Sequence, residues 1–495
     1  MMVKRESRKI AIVGGGIGGL TAALLLSYRG HKVTVLEKGS RLGGRMAYES
    51  EKGFKIDQGP TIVLLPGMIR GALQAAGVDP NLFEFQQVDP LYRIQFEDGR
   101  TLTKWTDKRR MADEIERMFP GEGGSFLNYM EVMQERFNMG YKQFLSKDFV
   151  KKRDFWTPGN VRSLVKLKAY SSVRQDVARF FHASRLREAY SFQTLYIGGN
   201  PEATPALYSL IPFSEHAHGI WYVKGGYAGM IGKLAQLLEE RGVEVRLNTA
   251  VEQVLVRDGE CYGIRTKGVS WAFDQVVLNG DFPMTRALLG EQRGRGWGKA
   301  KAYEPSSGCF LMYLGLNRVY EQASVHQFFF KDRFAEMLKD VFVSKIVPED
   351  PCLYTFHPSL IDSSLAPPGK GVLYVLVPVP SGDGGAWETM REAFADKILE
   401  ELERRGFPGL REAVEWRKVR TPHEAKQEGL YQGGSFGLAP TLRQSGVFRP
   451  QLQPYGIKRL FAVGASIHPG GGVPIVMQGA RLLAEFMERQ RENMH

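Results

Sequence analysis

Near the N-terminus, Gly14-Gly15-Gly16-Ile17-Gly18-Gly19 contains a GxGxxG at Gly14, Gly16 and Gly19. Such spacing serves the binding of a pyrophosphate. Gly14 permits a tight turn, Gly16 lets backbone close on the phosphates, and Gly19 lets a helix pack tightly against a strand, with Gly18 part of the same bare turn. The apolar run Ile10–Val13 predicts a buried parallel strand, Leu20–Tyr28 a helix ending at Gly30, and Lys32–Glu37 a second strand. Glu37 stands 18 residues past Gly19, where an acidic side chain accepts hydrogen bonds from a ribose. Strand, turn, helix, strand and acid thus fall in the register of a βαβ dinucleotide unit, whose helix N-terminus turns unpaired N–H groups toward the phosphates.

The acid disfavours a 2′-phosphate and therefore NADP. Arg41-Leu42-Gly43-Gly44-Arg45 follows at once. Two glycines and a cation so soon after the ribose acid favour FAD over NAD, with Arg45 placed on a phosphate. At the far end, Leu460–Val463 reads as a strand, and Gly470-Gly471-Gly472 leaves bare backbone that a flat ring can approach. The helix expected over Val473–Met487 would present its first amides to a partly negative edge of the same ligand. His468 in this turn is a candidate acid or base, or a residue that only fixes the loop. Asp281, just past the strand Val276–Leu278, is a candidate for proton transfer or a cofactor-proximal structural residue.

These elements sit in a chain of 495 residues, long enough for two domains. Hydrophobic residues make up 43% and charged residues 24%, as in ordinary globular proteins, and 56 glycines point to many tight turns or close ligand approaches. Helices are expected at Met111–Met118, Phe126–Phe144, Arg179–Thr194, Lys224–Arg241 and Glu388–Arg405. Strands are expected at Val243–Leu247, Val251–Val256, Tyr262–Arg265, Asp274–Leu278 and Gly371–Pro378. The fold class is α/β: a Rossmann-type doubly wound FAD-binding domain with an interleaved α+β substrate domain. The division assigns 1–100, 222–300 and 425–495 to FAD binding, and 101–221 and 301–424 to substrate and membrane docking.

The net charge of +12 and pI of about 9.4 fit an anionic cofactor or an anionic lipid surface. No zinc-finger, helix-turn-helix or RNP pattern occurs, which excludes nucleic acid as the favoured partner. Cys261, Cys309 and Cys352 form no CxxC pair, so neither a disulfide framework nor a metal site is expected, and a reducing cytoplasm suits the chain. The charged start, Met1–Lys9, does not read as a signal peptide, so none is expected, and no apolar run reaches the roughly 18 residues of a spanning helix. Membrane contact is therefore expected to be peripheral, at the inner face of the cell membrane. Its candidate surface is Phe149–Trp156 with Val161–Lys168, where aromatic and basic residues alternate; a solvated basic helix is the competing reading.

The N-terminal motifs, followed by Asp57-Gln58-Gly59-Pro60-Thr61, resemble the amine-oxidase and phytoene-desaturase group of flavoproteins. The block from Leu460 to Pro474 is similar to that group's C-terminal FAD segment in its carotenoid-desaturase form. Phe192–Gly198, Ala206–Pro212 and Phe436–Leu442 with Phe448-Arg449-Pro450 resemble bacterial dehydrosqualene (4,4′-diapophytoene) desaturase. The resemblance spans about Ile10 to Met487. It implies FAD contacts at Gly14, Gly16, Gly18, Gly19, Glu37, Lys38, Gly43, Gly44, Arg45, Gly59, Pro60, Thr61, Val254, Gly464, Gly472 and Val473. Ala465 follows Gly464 where related flavoproteins often carry an acid, and Gly471 stands where many desaturases have Ala.

The resemblance implies a long linear polyprenyl hydrocarbon as substrate, a C30 precursor desaturated stepwise to diaponeurosporene-type polyenes. C40 phytoene desaturation and terminal-methyl carotenoid oxidation are the alternatives within the group. Hydride abstraction from a carbon allylic to existing double bonds leaves charge that the polyene delocalises. The protein then needs alignment and water exclusion rather than a triad or metal. Amine oxidation would require an aromatic cage for the amine, which no motif places. A flavin-free protein binding prenylated partners would not need the glycine fingerprint.

Overall fold

Alternation of short β-branched runs with amphipathic stretches builds two large sheets, with three smaller ones, in the computed structural model, which describes residues 7–290, 302–382 and 386–492. Residues 1–6 of the charged N-terminal stretch and 291–300 of the proposed division lie outside them. The chain opens with β1 (Lys9–Val13), α1 (Ile17–Tyr28) and β2 (Lys32–Leu36). It continues through β3 (Tyr92–Gln95), β4 (Thr101–Lys104), α2 (Gly123–Gly140), α3 (Pro158–Lys166), α4 (Ser184–Ala189) and α5 (Leu210–His218). Then come α6 (Gly226–Glu240), β5 (Glu244–Arg246), β6 (Gln275–Asn279), β7 (Gly308–Leu316), β8 (His326–Phe329) and β9 (Leu353–Phe356). The last elements are β10 (Gly371–Val379), α7 (Trp387–Arg405), β11 (Val414–Arg420), β12 (Leu460–Val463) and α8 (Val473–Glu492).

The first sheet runs β12-β6-β1-β2-β5, and all its pairings are parallel. Its inner strands are short and mostly apolar, as burial on both faces demands, while the edge strand β5 keeps Glu244 and Arg246 exposed. α1 starts three residues earlier than its apolar periodicity suggests, so Gly18 and Gly19 lie in its first turn. Residues 251–272 form a separate three-stranded antiparallel sheet of Gln253–Arg257, Glu260–Thr266 and Val269–Ala272.

The second sheet runs β11-β7-β10-β9-β8-β3-β4 and is antiparallel except for β8 against β3. β3 enters it through that parallel pairing, although residues 92–95 fall on the FAD-binding side of the sequence division. One face, including Phe310, Met312, Leu373 and Val375, packs on Ile398, Leu399 and Leu402 of α7. The other carries Tyr92, Tyr313, Phe328, Tyr354 and Tyr374 beneath the helices of 123–218. The single helix expected over Arg179–Thr194 is broken into α4 and a 3₁₀ turn at Phe192–Ile197. Glu122 Oε1 accepts from the amides of His182 and Ala183 at 2.6 and 2.7 Å, which holds the chain in a turn where the helix would have run.

Candidate functional site

The carboxyl ends of β1, β6 and β12 bring the two glycine-rich segments together. A Cβ at Gly14 would lie 2.2 Å from Asn279 O, and one at Gly19 would lie 2.3 Å from Gly14 O. Gly14 also has φ of +106°, so only glycine suits this turn. The backbone of Gly43 reaches Gly15 through an N–H···O bond of 2.9 Å, and Gly16 pairs with Gly43 as an isolated parallel bridge. Gly43 and Gly44 therefore lie against the fingerprint turn.

Asn279, not singled out from the sequence, is the hub. Its Nδ2 donates to Gly14 O at 2.9 Å and to Gly16 O at 3.3 Å. Its Oδ1 lies where a Cβ on Gly18 or Gly464 would come within 2.7 or 3.2 Å. The signal available was a lone amide ending an apolar strand at a βα crossover, the position where such sheets bind ligands.

Glu37 follows β2 as expected, but its carboxylate is already engaged: Oε2 accepts from Gly15 N and Oε1 from Gly39 N, both at 2.7 Å. Each oxygen retains a second lone pair for a ribose hydroxyl. Arg45 Nη2 pairs with Asp281 Oδ1 at 2.7 Å. The same carboxylate accepts from Ser466 Oγ at 3.0 Å and from Tyr431 N at 3.0 Å. Asp281 is thus an anchor joining three segments rather than a free base. Arg45 Nε stays buried without a partner, leaving the guanidinium a donor to spare for an anion.

Lys38, Val254 and the acid/base candidate His468 have partners of their own. Lys38 Nζ donates to Glu428 O at 2.5 Å and so reaches toward that loop. Val254 is buried in the three-stranded sheet, and its amide is taken by Leu288 O at 2.9 Å. His468 is buried, with Nε2 on Lys147 O at 2.9 Å and its ring edge-on to Phe149. Burial lowers its pKa to about 4, so it stays neutral and fixes the loop. Thr61 Oγ1 meets Tyr354 OH at 2.7 Å, and Gly59 O accepts from Tyr374 OH at 3.2 Å. The Gly59-Pro60-Thr61 segment is therefore the seam between the two sheets.

Backbone is open at the C-terminal segment. Gly470 (φ +143°) and Gly472 (φ +95°) have no atom outside their own neighbours closer than 4.0 and 3.9 Å to a would-be Cβ. Val473 opens α8 directly behind them, and Gly464 (φ +123°) ends the neighbouring strand. Bare backbone, a helix start and a half-paired arginine around one crossover are the donor set of a flavin dinucleotide site.

Fold and site together define a two-sheet flavoprotein oxidoreductase. The family model described as flavin containing amine oxidoreductase matches residues 17–485. The chain is 50% identical over 485 residues to a 4,4′-diapolycopen-4-al dehydrogenase of Metabacillus indicus, covering 98% of each. It is 34% identical over 497 residues to a 4,4′-diapophytoene desaturase (4,4′-diaponeurosporene-forming) of Staphylococcus haemolyticus, covering 97% of this chain and 98% of that one. An oxidoreductase structure from Methanosarcina mazei superposes with a TM-score of 0.67 at 17% identity, over 97% of this chain and all of that one. The chain belongs to the flavin-containing amine oxidoreductase family, in its carotenoid desaturase branch, and is an FAD-dependent oxidoreductase.

Proposed function

We propose that this enzyme dehydrogenates a linear C30 carotenoid precursor, dehydrosqualene (4,4′-diapophytoene), stepwise toward diaponeurosporene-type polyenes. The observation that carries this reading is a row of rings crossing the second sheet from the glycine-rich centre. Tyr313 and Tyr374 donate to Gln58 O and Gly59 O, and their rings lie 5.7 Å apart. Tyr374 adjoins Tyr354 at 6.3 Å, Tyr354 adjoins Phe328 at 4.7 Å, and Phe328 adjoins Tyr92 at 5.1 Å. Such a row of rings supports a reading with an extended, largely apolar substrate.

When bound, FAD supplies the hydride acceptor that no side chain offers. The set Gly14, Gly16, Gly18, Gly19, Glu37, Gly43, Gly44, Arg45, Gly464, Gly472 and Val473 would hold it. Asp281, Ser466 and Arg45 keep the two chain ends in register, and the aromatic face aligns the substrate and excludes water. The same arrangement would serve C40 desaturation, the alternative within the group.

A second reading is oxidation of the end group of a C30 polyene, favoured by the 50% identity to the diapolycopenal dehydrogenase. We further propose the two-domain division given above, with residues 92–95 moved to the substrate side, and peripheral docking on the inner face of the membrane through exposed Trp156, Val161, Val165, Tyr170 and Phe448. Among the described residues no helix is long and apolar enough to cross a membrane.

The test is coexpression in a heterologous host with dehydrosqualene synthase, followed by separation of the pigments. New conjugated C30 hydrocarbons support desaturation. Oxygenated products formed only when a finished C30 polyene is supplied support the second reading. Neither product defeats both.

A further inference from the structure

The row of rings ends in a polar cluster at the outer edge of the second sheet. Lys104 on β4 faces Tyr92 on β3 as its direct cross-strand partner, and both side chains are buried. From above, Glu215 on α5 places Oε2 to accept from Tyr92 OH at 2.7 Å and from Gln193 Nε2 at 3.4 Å. Gln193 Nε2 also donates to Tyr92 OH at 3.0 Å and to Ala189 O at 3.0 Å. This cluster is fully enclosed, yet it is not closed on itself. Lys104 Nζ has no hydrogen-bond partner and lies 3.2 Å from the centre of the Tyr190 ring. Gln193 Oε1 and Glu215 Oε1 are likewise unmet, and Tyr196, stacked by its ring on Phe328, has the Glu215 carboxylate as the nearest group its hydroxyl addresses.

Buried donors are ordinarily paired, and a buried ammonium above all. Here Lys104 Nζ is left over at the end of an otherwise apolar track, with the Tyr196 hydroxyl, only loosely held by Glu215, beside the same carboxylate. From β7 beside Gln58–Gly59 to β4 the track crosses five strand spacings, about 24 Å, a length comparable with an extended C30 chain.

We infer that Lys104 and Tyr196 form a binding site for an oxygenated end group, the carbonyl oxygen of an aldehyde or carboxylate, on a linear polyene whose other end lies near Gly59–Thr61. Gln193 and Tyr92 hold Glu215 in place beside the ammonium and so act as positioning residues. Burial lowers the pKa of Lys104 to about 7 and raises that of Glu215 to about 7, so the pair can retain or shed charge according to the end group it meets. The inference rests on the reading of the substrate as a linear C30 polyene and sharpens its second form.

The test uses the full-length FAD-loaded protein without an electron acceptor. It is titrated in detergent micelles with an all-trans C30 polyene hydrocarbon and with the same polyene bearing one terminal aldehyde. A polyenal whose oxygen accepts from a cation absorbs further to the red, whereas the hydrocarbon has no such handle. The wild type should red-shift the bound aldehyde alone. Lys104→Met should abolish that shift and weaken aldehyde binding about tenfold, with hydrocarbon binding unchanged. Tyr196→Phe, which removes one hydroxyl only, should weaken aldehyde binding about threefold and serves as the deciding variant if Lys104→Met fails to fold. Absence of the shift in wild type, or equal weakening of both ligands in the variants, would overturn the site. Binding separates the two levels: binding of both polyenes without end-group selectivity defeats this inference alone, and binding of neither defeats the reading beneath it.

Discussion

Asn279 Nδ2 lies 2.9 Å from Gly14 O, so one amide at the end of β6 holds the turn that follows β1. The same group reaches Gly16 O, while Oδ1 approaches Gly18 and Gly464. Asn279→Ala would strip Gly14 O of its donor, at a cost of about 1–3 kcal/mol, while Gly16 O keeps the amide of Leu20 at 3.0 Å. We expect a lower melting temperature and protein that purifies with little flavin. Visible absorbance against protein content measures the loss, and full flavin occupancy in the variant would refute the role.

Two glycines of one motif should fail in different ways. Gly19→Ala sets a Cβ 2.3 Å from the Gly14 carbonyl, backbone against backbone, and should yield little soluble protein. At Gly16 the nearest atoms are Asn279 Nδ2 at 3.3 Å and Gly43 O at 4.0 Å. Gly16→Val should therefore fold, yet occupy the face through which a pyrophosphate approaches, and give neither flavin nor pigment. Soluble yield and pigment formation, measured side by side, distinguish the two; pigment at wild-type yield from Gly16→Val would count against flavin chemistry.

The parallel sheet was legible because burial on both faces leaves uniform apolar runs, as in Ile10–Val13, and because Gly14, Gly16 and Gly19 can serve few other purposes. β7 was not, although all nine of its residues are buried, since an apolar run of that length reads equally as helix. The roles of His468 and Val254 depended on partners far along the chain, Lys147 and Leu288, which no local pattern announces. Lys104 and Glu215 sit among ordinary surface-like residues in sequence and become chemically distinctive only when β3, β4 and α5 enclose them.

His468 should leave a signature in stability against pH. Burial holds its folded pKa near 4, whereas the unfolded ring titrates near 6.5. Below about 6.5 the unfolded chain takes up a proton that the folded chain refuses, so stability is full above that pH and falls toward pH 4, by about 3 kcal/mol for this group. His468→Gln, which keeps a donor for Lys147 O, should flatten the decline in melting temperature between pH 6.5 and 5. Other buried histidines, His216 and His326, are lowered too and will preserve part of the slope. A slope identical to wild type would show that the ring titrates alike in the folded and unfolded chain, against its burial.

Membrane docking can be separated from a merely solvated basic helix at α3. This helix is nine residues long and leaves Val161 and Val165, one turn apart, exposed on its surface. Trp156 is 51% exposed and stacks edge-on with Phe448, itself 48% exposed. Around them Lys151, Lys152, Arg153, Arg162 and Lys166 are exposed. Apolar groups ringed by cations match an anionic bilayer interface, where each basic residue contributes about 1 kcal/mol and the rings insert among the headgroups. Trp156→Ser combined with Val165→Asp removes one anchor and adds a repelled charge, so binding to vesicles of anionic lipid should fall at least about tenfold. The wild type should also release as salt screens the basic ring, and should bind vesicles of neutral lipid weakly. Flavin content and melting temperature should not move, because none of these side chains touches the glycine-rich centre. Equal sedimentation of wild type and variant with anionic vesicles would assign α3 to solvent, since a surface that loses both an aromatic anchor and charge complementarity without consequence was not lying on lipid.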